Sequence, residues 1–467
     1  MNDWRDGLEH VMILGLGASG LAAARLALRL GLRTEVRDQG EGVNLQETAA
    51  QLRRQGAEVR LGSEAMVRPG RVPDLVVASP GIAPGSPLRR MVRGLDRPLV
   101  GELEFGAGHC ASPLLAVTGS NGKTTTVELT VHCLRQAGLA AVAAGNIGVP
   151  LCQVALETPA PPVVVLEVSS FQLETIDRLR VRAAAYLNLS EDHLDRYPDF
   201  MAYAEAKARI CQTVERADQL ILRDDLVGQA ALAPRLRQLP GRPLIFSSRP
   251  EARERADYFV GTGNELCRRR ENGCGRLVLA RADELKMQGG HNLENALAAV
   301  ALCERFGIDP AVAAAALASF EPAAHRLRTV FVRNRIRVVD DSKATNPDAL
   351  IRALQALAEP GRKNIVLIAG GLDKKMDFSP VKPWLANAVK HVVCIGECRN
   401  RLAAIWGGQT VCDACDNFAE AVAAAVASAE SGDTVLLSPG CASQDMFADY
   451  VERGRMFIDL ISKEMEK

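Results

Sequence analysis

The stretch Leu114–Leu129, "LLAVTGSNGKTTTVEL", decides the fold of this chain. Leu114 to Val117 read as a short buried strand, and Thr124 onward reads as the start of a helix. Between them Gly119, Ser120, Asn121 and Gly122 tolerate the tight backbone that aims several N–H groups at one anion. A helix N-terminus attracts phosphate by itself, through its free N–H groups and its dipole. Lys123 would then reach the β and γ phosphates of a nucleotide, with the hydroxyl of Thr124 on Mg²⁺. The common pattern G-x-x-x-x-G-K-[ST] wants a glycine where this chain has Val117, so a nucleotide site here would be of an unusual kind. A plain strand–helix turn with a solvated lysine is the alternative, and Gly-Lys-Thr at such a junction argues against it.

The chain has 467 residues, enough for about three domains. Apolar residues make up 48% and charged residues 24%, the balance of an ordinary globular protein. Fifty-six basic residues match 56 acidic ones, so no global field draws the chain to nucleic acid or to a membrane surface. No apolar run is long enough for a signal segment or a membrane span, and the expected location is cytoplasmic. Among twelve cysteines, Cys412 and Cys415 form one C-x-x-C. Its neighbours Cys394 and Cys398 have the wrong spacing for a zinc ribbon, so reduced, mostly buried thiols are expected.

Strand-like runs alternate with helical segments from end to end, which predicts an α/β protein with mainly parallel sheets. The first unit starts "HVMILGLGASGLAAARLALRLGLRTEVRD". The segment 223–286 reads as polar loops with an antiparallel hairpin, and long helices are expected over 292–306 and 310–319. Strands "IRVVDD", "NIVLIAGG", "HVVCIGE" and "DTVLLSPG" make a last unit opening at "FEPAAHRL".

A second nucleotide-like motif, Gly15-Leu16-Gly17-Ala18-Ser19-Gly20, follows the first strand, and Asp38 ends the next one at the spacing expected of a ribose-binding carboxylate. From these residues alone, a nicotinamide cofactor, another nucleotide and simple tight packing all remain open. The phosphate loop downstream favours an ATP-driven enzyme whose substrate carries a nucleotide handle. Glu167 ends the strand "VVVLE", where a carboxylate can hold Mg²⁺ across from the loop. His193 lies just past the next strand. Lys207, in "AEAKARI", reads as an ordinary solvated helix lysine.

The segments "GLGASG", "SPGI", "TGSNGKTT", "GNIG", "LEVSSFQLE", "EDHLDRY", "HNLENALAA", "HRL", "DDSKATNP", "GGLDKKMDF" and "LSPGCAS" together resemble the Mur ligase family, in order over nearly the whole chain. "SSFQLE" and "DDSKATN" resemble its D-glutamate-adding branch. The resemblance implies a Rossmann-like domain over 1–105 for a UDP-linked substrate, a phosphate-loop ATP domain over 106–322, and a Rossmann-like amino-acid domain over 323–467. It implies Ala18, Ser19, Asp38 and Ser79 at the uridine diphosphate, and Asn146, Ser169, Gln172 and His193 near the muramoyl part. It gives Gly119, Ser120, Asn121, Gly122, Lys123, Thr124, Thr125, Asn292, Asn295, Arg326 and Asp341 to ATP. Lys343, Thr345, Lys374, Ser443 and Tyr450 fall to D-glutamate.

Thr124, Glu167, His193 and Lys207 are implied as metal ligands for two Mg²⁺ ions, with Lys207 carbamylated. Lys123, Glu167, His193, Lys207 and Arg326 are the implied catalytic set. The implied role is D-glutamate addition to UDP-N-acetylmuramoyl-L-alanine in peptidoglycan precursor synthesis, serving cell-wall biogenesis, cell shape and division. The expected partners are small-molecule substrates only, and the chain is expected to be a monomer.

Overall fold

The computed structural model describes residues 4–5, 7–194, 196–270, 275–287, 289–321, 325–359 and 361–466. Part of the junction "FEPAAHRL", including the expected boundary at 322/323, lies outside the described residues, as do Asp195 and Cys274. The chain separates into two compact units. One gathers 1–188, 201–284 and 294–318, the other 189–200, 285–293 and 319–467.

The first unit holds two sheets. The smaller is fully parallel, in spatial order Glu58–Leu61, Arg33–Asp38, His10–Leu14, Leu75–Ala78, Leu99–Gly101. This is the nucleotide-binding order in which the chain steps outward twice from its first strand. The larger sheet runs Arg276–Arg281, Glu265–Arg269, Tyr258–Val260, Leu244–Ser247, Leu220–Arg223, Ala183–Tyr186, Leu114–Thr118, Val163–Glu167, Ala141–Gly145. Its central strands are buried along their whole length, as a parallel sheet covered on both faces requires. The expected hairpin exists, as the antiparallel pair Glu265–Arg269 and Arg276–Arg281. The rest of that polar segment departs from the expected loops, since it contains the parallel strands Leu244–Ser247 and Tyr258–Val260. Those strands are only four and three residues long and sit among arginines, too short for periodicity to stand out.

The first two sheets are fused through the short helix Glu102–Ala107. Its Phe105 shares one apolar core with Val11 and Ile13 of the smaller sheet and with Cys152, beyond the second sheet's first helix. Glu104 is buried, and its carboxylate accepts from the backbone N–H groups of Asp177, Arg178 and Leu179 at 2.9–3.0 Å. Glu102 is also buried, but it accepts only the Cys152 N–H at 2.7 Å and leaves its second oxygen without a partner.

The second unit carries the sheet Arg328–Arg333, Ile336–Asp340, Thr434–Leu437, Ile365–Gly370, Val389–Ile395, Val411–Ala414, parallel except for its first strand. The "VCDAC" sequence is its partly exposed edge strand and the residue after it, with Cys412 inside the strand and Cys415 just beyond its end. Across the three sheets the α/β class with mainly parallel strands is as the sequence implies.

Burial pushes the Glu102 carboxyl up from 4.5 to about 7. The folded protein therefore holds this proton more tightly than the unfolded chain. The contribution to stability is full at low pH and declines as pH rises through about 7, by an amount on the order of 3 kcal/mol. Thermal melts of Glu102→Gln against wild type should show the difference between them moving in the variant's favour from pH 5 to pH 8. A pH-independent difference would contradict the burial of a titrating carboxyl at this seam.

Candidate active site

The loop after strand Leu114–Thr118 is shaped by its glycines. Gly119 has φ +156° and Gly122 φ +82°, a conformation that a side chain resists. A Cβ on Gly122 would also lie 2.4 Å from the Asn295 side-chain oxygen. From that turn the helix Lys123–Gln136 starts without a side-chain cap, leaving its N-terminus to the loop.

Asn188, at the end of the neighbouring strand, clamps the turn in both directions. Its amide oxygen accepts the Asn121 N–H at 2.8 Å, its amide nitrogen donates to the Asn121 carbonyl at 3.0 Å, and its own carbonyl accepts the Ser120 N–H. Tyr203 closes the loop from beneath, its hydroxyl 3.0 Å from that of Ser120.

Around this turn the first unit assembles the residues expected there. Lys123 curls over the loop and donates to the Gly119 and Ser120 carbonyls. The Thr124 hydroxyl donates to Glu167 at 2.7 Å, while the Asn146 amide donates to the other Glu167 oxygen at 2.8 Å. Asn295 accepts from Thr126. A hydroxyl and a buried carboxylate beside a phosphate loop are oxygen donors of the kind Mg²⁺ takes alongside phosphate oxygens, so these residues fit the ion.

Lys207 corrects the sequence reading. It is buried, its ammonium donates to the Gly119 carbonyl at 2.8 Å and lies 5.0 Å from the centre of the Tyr203 ring. The helix Phe200–Ala208 that carries it turns this face inward, which a short helical pattern rich in alanine does not reveal. Ser169 and Gln172 make a reciprocal capping box on the helix Ser170–Leu173, fixing the segment that follows Glu167.

At the smaller sheet, Ala18 and Ser19 open the helix Ala18–Arg29. Gly20 is obligatory there, since a Cβ would fall 1.8 Å from the Gly15 carbonyl. Asp38 supports this turn directly, accepting the N–H groups of Leu16 at 2.6 Å and Gly40 at 2.7 Å. Ser79 approaches the same Gly15 carbonyl at 3.4 Å. All four expected residues therefore meet at the carboxyl ends of the strands.

The second unit collects a separate group. Lys343 sits 5.1 Å from the centre of the Tyr450 ring. Ser443 has a buried hydroxyl without a partner, an atom ready for a ligand. Lys374 lies just beyond Leu372, which is bridged to Ala442 beside Ser443, and Thr345 precedes the helix-capping Asn346. Asp341 accepts from Leu327 and Ser438, and burial pushes its carboxyl up to about 7. The buried Nε of Arg326 lacks a partner. His193, in a left-handed conformation at φ +57°, groups with this unit, as does Asn292. Its neighbour Asp192 accepts from Asn346 at 3.1 Å.

Sequence reasoning missed Asn188, Tyr203, His325 and Arg453. His325 pairs with Asp340 at 2.7 Å. Arg453 is fully buried and ties Ser342, Cys441 and Ala442 together through their carbonyls. Arg453 joins the segments that lead into Lys343 and Ser443, yet nothing marks it out in a charged helix. Asn188 had a signal, since an amide at a strand's carboxyl end beside a phosphate loop is placed to bond backbone.

Asn188→Ala removes both directions of the clamp on the half-buried Asn121 backbone. The cost should be about 2 kcal/mol. ATP affinity measured by calorimetry should fall with it, and Asn188→Asp, which keeps the acceptor alone, should lie between. Unchanged ATP binding in the alanine variant would show that the loop holds its shape unaided.

The chain matches two family models, the Mur ligase middle domain over residues 117–303 and the Mur ligase glutamate ligase domain over 325–441. It is 40% identical over 456 residues to a UDP-N-acetylmuramoylalanine–D-glutamate ligase of Frankia casuarinae, covering 96% of this chain and 92% of that protein. A protein of the same name from Pelotomaculum thermopropionicum is 39% identical, with 97% of each chain covered.

Among solved structures, the UDP-N-acetylmuramate-alanine ligase MurC of Thermotoga maritima superposes with a TM-score of 0.60 at 20% identity, over 97% of this chain and 99% of that one. MurF of the same organism, in complex with ADP, gives 0.59 at 16%, over 100% and 97%. These structures share the fold. With near-full-length relatives at this identity, the chain belongs to the Mur ligase family.

Proposed function

We propose that this chain is an ATP-dependent ligase that adds D-glutamate to UDP-N-acetylmuramoyl-L-alanine in peptidoglycan precursor synthesis. The observation that carries the reading is the phosphate loop with the Thr124 hydroxyl joined to Glu167 and the buried Lys207 at Gly119. The names of the full-length relatives support the amino acid and the acceptor.

In this reading the alanyl carboxylate attacks the γ-phosphate of ATP in line, giving an acyl phosphate and ADP. The α-amine of D-glutamate then attacks the acyl carbon, and phosphate leaves as the amide forms. Loop N–H groups, Lys123 and Arg326 take up the phosphate charge, while positioning brings carboxylate and phosphorus together. Mg²⁺, when bound, offsets the repulsion between an anionic nucleophile and an anionic phosphoryl group.

Thr124 and Glu167 would hold one ion. Glu167, His193 and a carbamylated Lys207 would share the other, the carbamate making a cation into an oxygen ligand. Lys343 and Lys374 supply positive charge for a dicarboxylate, with the Ser443 hydroxyl as a hydrogen-bond partner. The glycine turn with Ala18, Ser19, Asp38 and Ser79 would take the uridine diphosphate.

The three sheets would act as three functional domains, 1–105, 106–322 and 323–467, of a cytoplasmic monomer. No helix among the described residues is long and apolar enough to cross a membrane.

The route predicts where one oxygen atom goes. With ¹⁸O in the alanyl carboxylate, mass spectrometry should find label in the released phosphate. Label in AMP would mean adenylylation instead, and release triggered by another amino acid in place of D-glutamate would reassign the substrate. Lys207→Ala should lower phosphate release by about 100-fold, and short carboxylic acids should partly restore it by standing in for the carbamate. Because Lys207 is buried, the melting temperature must be followed in parallel. An active variant in bicarbonate-free buffer would remove the carbamate from the mechanism.

A further inference from the structure

Cys398 and Cys441 are 43 positions apart, yet their sulfurs lie 3.2 Å from each other in the second unit. Both side chains are buried. Cys398 stands at the N-cap position of the helix Arg399–Trp406 without a side-chain cap bond, and Cys441 follows the strand Thr434–Leu437 through a Ser-Pro-Gly turn. Neither belongs to the C-x-x-C of the edge strand.

The two thiols are held in contact by the backbone around them. The Cys398 N–H donates to the Gly371 carbonyl at 3.0 Å, the Glu397 N–H to Asp445 at 2.8 Å, and the Leu372 N–H to the Ala442 carbonyl at 3.0 Å. The segments press together so closely that a Cβ on Gly371 would sit 2.2 Å from the Ala442 carbonyl, and one on Gly396 would sit 2.6 Å from Gly371 Cα. The two thiols differ in character. The contact between them holds the Cys398 thiol below its ordinary range and, with burial, raises that of Cys441 well above its own. The helix N-terminus at Cys398 favours its thiolate in the same sense. Glu397 and Asn400 on either side of it are exposed.

We propose that Cys398 and Cys441 are a disulfide-forming pair, oxidised by hydroperoxides and reduced by thiols, at the root of the two loops that carry Lys374 and Ser443. In the first step the Cys398 thiolate attacks a peroxide oxygen, breaking the O–O bond and leaving a sulfenic acid with release of water or alcohol. The Cys441 sulfur then attacks the sulfenyl sulfur, its proton leaves with the hydroxyl as water, and the S–S bond forms. One peroxide is reduced by two electrons for each pair of thiols oxidised. A disulfide requires the sulfurs at about 2.05 Å, so the segments must draw together where they are already in contact. Ser443 is two residues from Cys441, and Lys374 three from Gly371, whose carbonyl the Cys398 N–H bonds, so the movement is passed on to both. That consequence rests on the assignment of these residues to the amino-acid pocket.

The test treats the full-length protein with equimolar hydrogen peroxide, alkylates remaining thiols with N-ethylmaleimide, and maps unreduced peptides by mass spectrometry. The expected product is a Cys398–Cys441 cross-link that dithiothreitol removes. D-Glutamate-dependent phosphate release should fall by about 100-fold on oxidation, the scale of a misplacement of roughly 1 Å, and return on reduction. Cys398→Ser should keep the reduced protein's activity and lose its peroxide sensitivity.

Alkylation of both cysteines after unfolding, at a dose that oxidises Cys110 or joins Cys412 to Cys415, would overturn the pairing. So would a sulfinic acid at Cys398 without a cross-link. A cross-link that leaves phosphate release unchanged would overturn its coupling to the pocket. Since the cross-link is read by mass, a reduced protein inactive with D-glutamate would count against the ligase reading alone.

Discussion

A loop that is to wrap an anion needs a fixed shape, yet its glycine-rich backbone cannot fix that shape by itself. In this chain the contradiction is resolved from outside. Asn188 bonds the turn on its far side, Tyr203 and Lys207 brace Ser120 and Gly119, and Asn295 packs against Gly122. Four side chains from three segments thereby fix a four-residue turn, and the Thr124–Glu167 pair inherits its position from that turn. The parallel strands on either side of Leu114–Thr118 exist, in this view, to bring Glu167 and Asn188 to its rim.

The second unit solves a similar problem by the opposite means. Its loops are joined by one buried cation, Arg453, whose guanidinium gathers carbonyls from residues far apart in sequence. Burial lowers the affinity of that group for its proton to about 10, still well above neutrality, so it remains a cation. Asp340, paired with His325 and accepting the Ser342 N–H, completes the brace from the sheet side.

What the sequence discloses follows from whether a residue's role is local. Gly15, Gly20, Gly119 and Gly122 announce themselves because a backbone conformation or a close approach excludes other residues. The long helix Gly290–Phe306 and the apolar central strands are equally plain. Ser169 and Gln172 carry the spacing of a capping box, which is legible without any family knowledge. Lys207, Arg453 and the Cys398–Cys441 contact are invisible for one shared reason: each depends on a segment dozens of residues away. Lys207 could be suspected only through family resemblance, and its burial contradicts its helical pattern outright. The short strands inside the arginine-rich segment were hidden because a three-residue strand has no period to read.

The seam at Glu102 and Glu104 bears on how the chain can be divided. One apolar core spans Val11, Ile13, Phe105 and Cys152, and Glu104 satisfies three N–H groups that lie some seventy residues downstream. A fragment ending near residue 105 would strip Glu104 of all three of its partners and lay that core open to water. The nucleotide-order sheet at the start of the chain is thus recognisable by topology but not separable as a protein. A fragment that keeps this seam whole must run past Leu179, the last of the residues whose N–H groups Glu104 satisfies.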